Sequence, residues 1–238
     1  MPEKWFTGVV TKIVEETYNT KRFWIRVPDR SSFDFKPGQF VTLDLPIHEK
    51  MNKRWRSYSI ASHPNGTNEI ELVIVLLEGG PGSTYLCTQV TEGTELTMRG
   101  PLGVFTLPEV LEKDLFFICT GTGIAPFRAM THHLHNHGIA HPNIYLISGS
   151  RYEKDLLYKE EMMKLHADMP GFQYIPTLSR EDWSGRKGYV HAVYEELLAD
   201  KRPANFFLCG WKAMIDEAKQ KIIAMGYDRH DIHLELYG

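Results

Sequence analysis

Near Pro108 the rhythm of the sequence changes, and that change limits the chain to two differently built halves. Before it, residues 6–14, 22–27, 40–45 and 69–77 are short runs rich in β-branched and aromatic residues. Pro37-Gly38, Asn65-Gly66 and Glu92-Gly93 supply turn chemistry between runs, and one helical stretch, 83–90, interrupts them. Many short strands at this spacing predict a closed or nearly closed antiparallel β-barrel. After Pro108, apolar strands at 115–119, 143–148, 172–177, 205–209 and 233–236 alternate with helical patterns at 124–137, 154–167, 190–199 and 212–225. Alternation of this kind, with right-handed crossovers, predicts an α/β domain whose five-stranded parallel sheet carries helices on both faces. The expected domains are 1–110 and 111–238, joined within residues 107–113.

A length of 238 residues suits two domains of ordinary size. The 30 acidic and 27 basic residues leave a net charge of -3, so no global positive field exists to attract nucleic acid or an anionic membrane. No apolar run approaches the roughly 20 residues of a membrane-spanning helix. The opening Met1-Pro2-Glu3-Lys4-Trp5 lacks the basic and apolar regions of a signal peptide. Cys87, Cys119 and Cys209 are widely spaced, which excludes a disulfide scaffold and a zinc or iron–sulfur cluster. A soluble, reduced, cytoplasmic protein is expected.

Four segments invite a chemical reading. In Arg56-Ser57-Tyr58-Ser59, a tyrosine can lie on a planar ring system, a hydroxyl can bond a ring nitrogen, and the arginine two residues earlier shares the tyrosine's face and can clamp a phosphate. Alone, it is equally a decorated half-buried strand. Gly79-Gly80-Pro81-Gly82-Ser83-Thr84 opens a helix, where glycines and free N–H groups suit an anion; a capped hairpin loop is the plainer alternative. Thr120-Gly121-Thr122-Gly123-Ile124-Ala125-Pro126 joins an apolar strand to a helix, the setting of a dinucleotide pyrophosphate site. Pro126 replaces the third glycine of the usual fingerprint and fits the first turn of a helix. Cys209-Gly210, Glu235 and Tyr237 follow or end strands of the second half, although a buried small cysteine and a frayed terminal tyrosine are the plainer alternatives.

Arg-x-Tyr-Ser, Gly-Gly-x-x-Ser, Gly-Pro-x-Gly (100–103), Thr-Gly-Thr-Gly-Ile-Ala-Pro and Cys-Gly with the nearby Met214 occur in this order along nearly the whole chain. Together they resemble the ferredoxin–NADP⁺ reductase family. The resemblance implies that Arg56 binds the phosphates of FAD, Tyr58 stacks on its isoalloxazine and Ser59 lies near its N5, with Ser57 in the same segment. Val73, Ile74 and Val75 would line the cofactor, and Gly82, Ser83 and Thr84 would hold its pyrophosphate. The glycine cluster after Leu77 favours FAD over FMN. Thr122 would face the nicotinamide side, and Cys209, Gly210 and Glu235 would flank hydride transfer in a cleft between the domains, with Met214 nearby. Glu235-Leu236-Tyr237 is similar to the Glu-x-Tyr terminus of plant-type members, in which tyrosine covers the flavin and must move aside; here Gly238 follows it.

Ser179-Arg180 and Arg186-Lys187-Gly188-Tyr189 resemble the segment that takes the NADPH 2′-phosphate, with Tyr189 available to adenine and Ser150-Arg151 as a further contributor; a solvated loop is the plainer alternative, and some relatives with a similar Ser-Arg pair use NADH. Glu181 and Asp182 would offset the charge of Arg180. His132, His133, His135, His137 and His141 form a biased tract with only one i, i+4 pair, read as a solvated helix surface and not a metal site. Lys53-Arg54-Trp55 is either an exposed edge of the flavin site or a docking step for an acidic carrier. The expected function is transfer of hydride from NADPH to FAD and of electrons to a separate carrier such as ferredoxin or flavodoxin. Two alternatives stand beside it: an NADH-dependent reductase component of an oxygenase, and a flavin-free nucleotide-sensing module.

Overall fold

A computed structural model of the chain describes residues 4–237, Tyr237 by its backbone alone. By internal contacts it divides into two units. One runs to Thr106 and takes in Arg128–His133; the other comprises Leu107–Phe127 and the chain from Leu134 onward.

In the first unit, alternation of apolar and polar residues builds β1 (Phe6–Thr17), β2 (Thr20–Arg26), β3 (Phe40–Asp44), β4 (Trp55–Ser59), β5 (Glu69–Val75) and β6 (Glu95–Leu102). They form one antiparallel sheet in the order β4-β3-β6-β1-β2-β5. An Ile60–Leu72 bridge and the Ala61 N–H donating to the Glu71 carbonyl (2.8 Å) bring the end of β4 to β5 and close the sheet toward a barrel. Val10, Phe23, Val41, Leu43, Leu72 and Ile74 fill its interior. Strand β6 alternates exposed and buried residues from Glu95 to Met98 before it reaches Gly100-Pro101. Opposite that dipeptide the register slips between Phe40 and Thr42, a bulge that absorbs the proline inside the sheet. Helix α1 (Pro81–Thr88) packs Leu86 and Cys87 on the barrel core. Glu71, 3% exposed, is neutralised within this unit by Arg22 (2.6 Å) and Arg128 (3.0 Å).

In the second unit β7 (Asp114–Thr120), β8 (Ile144–Ser150), β9 (Phe172–Leu178), β10 (Arg186–Lys187), β11 (Ala204–Trp211) and β12 (Ile232–Tyr237) form a parallel sheet in the order β10-β9-β8-β7-β11-β12. The near-continuous apolar runs of β7, β8 and β11 are buried, as parallel strands covered on both faces require. Helices α2 (Ala125–Asn136), α3 (Lys159–Asp168), α4 (Val190–Leu197) and α5 (Lys212–Ala224) make the crossovers. The sheet has six strands and not the expected five. The extra one, Arg186–Lys187, has no apolar residue to announce it and exists through its pairing with Thr177 and Leu178. The order reverses between β7 and β11, which makes their carboxyl ends the topological switch point, the usual ligand position in such sheets. At the opposite end Asp114 is buried and held by Arg202 (2.8 Å), which also donates to the Tyr145 hydroxyl (3.0 Å). Among the described residues no helix is long and apolar enough to cross a membrane.

Candidate active site

The first unit brings two of the sequence motifs into contact. Strand pleating places Arg56 and Tyr58 on one face of β4 and Ser57 and Ser59 on the other. Ser57 Oγ lies 3.0 Å from Thr42 Oγ1, and Ser59 is buried. Arg56 is anchored by donating from Nη1 to the carbonyls of Lys53 (3.0 Å) and Trp55 (2.7 Å). Its side chain then lies on the first turn of α1: a Cβ at Gly82 would fall 2.9 Å from Arg56 Cγ and 3.1 Å from Nε. Helix α1 begins at the N-cap Gly80 with Pro81 in its first turn, and no side chain caps its free N–H groups. A guanidinium beside an uncapped helix N-terminus is an unfavourable pairing of positive ends unless an anion sits between them. A diphosphate fits this cradle. The Ser83 hydroxyl accepts from the Leu77 N–H and donates to the Gly80 carbonyl (3.1 Å each), so it shapes the glycine loop, while Thr84 is exposed.

Burial pushes the Tyr58 phenol well above its ordinary range against the opposing charge of Arg56, which keeps it neutral and suited to stacking. On β5, Ile74 points into the barrel core, so its side chain cannot line a cofactor on the opposite face; Val73 and Val75 alternate with it. Arg54 is paired with Asp44 (2.7 Å), and Trp55 packs under the Arg99 guanidinium (4.6 Å). The Lys53-Arg54-Trp55 step is therefore less cationic than its sequence suggests.

In the second unit, β7 ends at Thr120, a 3₁₀ turn spans Gly121–Ile124, and α2 follows with Pro126 in its first turn. This loop interlocks with the end of β11. A Cβ at Gly123 would meet the Cys209 carbonyl oxygen at 2.3 Å, and one at Gly210, whose φ is +135°, would meet Thr120 Oγ1 at 2.4 Å. The Trp211 N–H donates to the same Thr120 hydroxyl (3.2 Å). Thr122 stays half-exposed at the mouth of the loop. Cys209 is fully buried, and its carbonyl meets the loop at Gly123. Glu235 pairs with it in register across β12 and is half-buried. Met214 lies in the core beneath α5 and does not line the surface. The Tyr237 backbone pairs with Trp211, while its side chain and Gly238 lie outside the described residues. Trp211 itself was not among the residues singled out, although an aromatic directly after Cys-Gly at a strand end was visible in the sequence.

Toward the sheet's other edge the two Ser-Arg pairs come side by side: the Ser179 and Arg180 N–H groups donate to the Ser150 and Arg151 carbonyls (3.0 Å each). Arg186 is committed to Glu196 by two bonds (2.6 and 2.9 Å) and Lys187 to Asp182 (2.6 Å). Glu181 accepts from the Glu153 N–H (2.6 Å). Neither acidic neighbour offsets Arg180 by an ion pair, and no ion pair to Arg151 or Arg180 is found among the described residues. Tyr189 is 73% exposed beside them. In the histidine tract, His132 stacks on His63 (5.7 Å) and His133 is half-buried, so that helix surface is only partly solvated. No cluster of three metal-ligating side chains occurs among the described residues.

Residues 7–107 match the model of the oxidoreductase FAD-binding domain and residues 117–220 that of the oxidoreductase NAD-binding domain. The chain is 36% identical over 218 residues to ferredoxin–NADP reductase B of Sorangium cellulosum, covering 88% of each chain. It is 34% identical over 188 residues to the anthranilate 1,2-dioxygenase electron transfer component of Acinetobacter baylyi, covering 78% of this chain but 53% of that longer protein. Among solved structures, the ferredoxin NADP⁺ reductase of Neisseria gonorrhoeae, with bound FAD and NADP, superposes with a TM-score of 0.83 at 25% identity over 98% of both chains. With two matched cofactor domains and that degree of identity across its length, the chain belongs to the ferredoxin–NADP⁺ reductase family of flavin oxidoreductases.

Proposed function

We propose that this chain oxidises NADPH at an FAD held by the first unit and passes the electrons to a separate carrier protein, ferredoxin or flavodoxin. The observation that carries the proposal is the Arg56 guanidinium lying on the uncapped start of α1 at Gly82, an arrangement of two positive ends that a bound anion would stabilise. Arg56 and the N–H groups of Gly82 and Ser83 hold the diphosphate. Tyr58 presents a neutral ring to the isoalloxazine, with Val73 and Val75 beside it. A cavity of about 400 Å³ lined by Pro46, Ile47, Pro81, Thr84 and Tyr85 takes the adenosine half. FAD, when bound, supplies the hydride acceptance and one-electron release that amino-acid side chains lack.

In the second unit the loop around Thr122 receives the NADPH pyrophosphate at the start of α2. Arg151 and Arg180 with Ser150 and Ser179 receive the 2′-phosphate, supported by the commitment of Arg186 and Lys187 to carboxylates of their own. Tyr189 stacks on adenine. Ser59 in the first unit and Glu235 in the second are the proposed proton-handling groups; within the second unit the Cys209-Gly210 turn shapes the nicotinamide end, and Tyr237 is the proposed gate. The three cysteines are free and buried, consistent with work in a reducing cytoplasm.

Anaerobic mixing of the purified protein with NADPH or NADH, followed at the flavin absorbance band, tests the proposal. Bleaching by NADPH with kcat/KM well above that for NADH, followed by reduction of added ferredoxin or flavodoxin, is expected. A colourless protein without stoichiometric flavin favours the nucleotide-sensing module. Preference for NADH points to the oxygenase-reductase reading.

A further inference from the structure

Trp211 occupies a position that folding alone does not explain. It is 55% exposed, although tryptophan is among the residues most rewarded by burial. It fills the N-cap of α5, where an indole offers the helix no acceptor and Ser, Thr, Asp or Asn is preferred. Its backbone is nonetheless held tightly. Gly210 can take its φ of +135° and its contact with Thr120 only because it lacks a Cβ, and the Trp211 N–H is bonded to the Thr120 hydroxyl. A rigid turn thus holds a large flat side chain at the switch point, beside the loop that leads into α2.

We infer that Trp211 is a nicotinamide-contacting residue that sets affinity for the oxidised nucleotide. The inference rests on the function proposed above. A dinucleotide laid across the carboxyl ends of the strands has its adenosine end at β8 and β9 and its pyrophosphate at the Thr120–Gly123 loop. Continuing in the same direction, the next strand is β11, and three inter-strand steps of about 4.8 Å separate β9 from it, roughly 14 Å in all. The nicotinamide end therefore arrives where Trp211 stands. The oxidised ring carries a positive charge, which the electron-rich face of an indole attracts, whereas the reduced ring is neutral. Trp211 accordingly favours NADP⁺ over NADPH and slows product release relative to binding of the reductant.

Calorimetric titration of the flavin-loaded wild type, Trp211→Ala and Trp211→Phe with NADP⁺ and with 2′,5′-ADP, which lacks the nicotinamide half, tests this. Trp211→Ala is expected to weaken NADP⁺ roughly 3- to 30-fold and leave 2′,5′-ADP within about twofold, with Trp211→Phe retaining most of the affinity. Kinetically, the inhibition constant of NADP⁺ rises more than KM for NADPH. NADP⁺ affinity within about twofold of wild type in Trp211→Ala, or an equal loss for 2′,5′-ADP, overturns the inference and leaves the proposed function standing. A wild type that binds neither NADP⁺ nor NAD⁺ overturns both. If only NAD⁺ binds, the choice of NADPH fails, and NAD⁺ paired with ADP decides the role of Trp211 by the same comparison.

Discussion

The alpha carbon of Gly123 lies so close to the Cys209 carbonyl that a single added methyl would approach the oxygen to 2.3 Å. Two loops about 86 residues apart in the chain are interlocked there, one leading into α2 and the other into α5. Because the obstacle is backbone, it cannot rotate away. Gly123→Ala is expected to cost about 1–3 kcal/mol of stability by overpacking and to weaken NADP⁺ binding at least tenfold. Thermal melting and nucleotide titration check the two effects separately.

Gly82 makes the corresponding approach in the first unit, but to a flexible side chain. Gly82→Ala is expected to push the Arg56 guanidinium aside, and Gly82→Val to do so more strongly, with the flavin-to-protein ratio of the purified variants falling in that order. An unchanged ratio in both variants removes the cradle from the flavin site.

Arg151 and Arg180 are the cations left available at the proposed adenosine end. Hydrogen bonds to charged groups contribute about 1.5–3 kcal/mol, so replacing either arginine with alanine is expected to raise KM for NADPH by roughly 10- to 100-fold. KM for NADH should hardly change. Arg186→Ala, which removes a partner of Glu196, is expected to have the smaller effect on NADPH, as steady-state kinetics with the two nucleotides will show.

Val73 and Ile74 are adjacent, buried, and point to opposite faces of β5. Ile74→Ala is expected to destabilise the protein by about 2–5 kcal/mol through a core cavity. Val73→Ala should instead weaken flavin retention at smaller cost to stability. Denaturant melts and flavin content, measured on both variants, distinguish the two faces.

Burial holds the His191 imidazole below its ordinary value, against the pull of Glu217 (3.3 Å) and with Tyr194 OH at 2.9 Å; Lys221 and Glu195 lie nearby. His233, stacked on Phe207 at 4.4 Å, shifts the same way for the same first reason. A histidine whose folded pKa is depressed contributes its full stability above the unfolded value of about 6.5. That stability is lost as pH falls from there through the folded value. Melting temperature should therefore decline on acidification below about pH 6.5, and the decline should be shallower in His191→Gln.

The chemistry-bearing loops were legible because each is local: Thr120–Pro126 and Gly79–Thr84 announce a loop that opens a helix through residues adjacent in sequence. The long apolar strands were legible too, since runs such as Leu115–Cys119 suit a covered parallel sheet and little else. Strand β10 was not, because two charged residues become a strand only when β9 offers a ladder to pair with. Nor was the start of α3. The expected helix from 154 begins at Lys159, after a 3₁₀ turn at Glu153–Asp155 and a left-handed Tyr158 (φ 52°). The burial of Met214 was equally hidden, since it follows from packing against distant elements, whereas a buried Cys209 was the plainer reading of its sequence.

By itself, then, the amino-acid order determined the two-part class of the protein, the family it belongs to, and the segments able to meet anions and planar rings. Those properties depend on hydrophobic period and on short runs of backbone-permissive residues, which are encoded between near neighbours. Only the tertiary structure decided that Gly82 meets Arg56, that Gly123 meets Cys209, and that Arg186 and Lys187 are claimed by Glu196 and Asp182 while Arg151 and Arg180 stay available. Each of these is set by strand register and close packing between residues remote in the chain, and no local pattern carries that information.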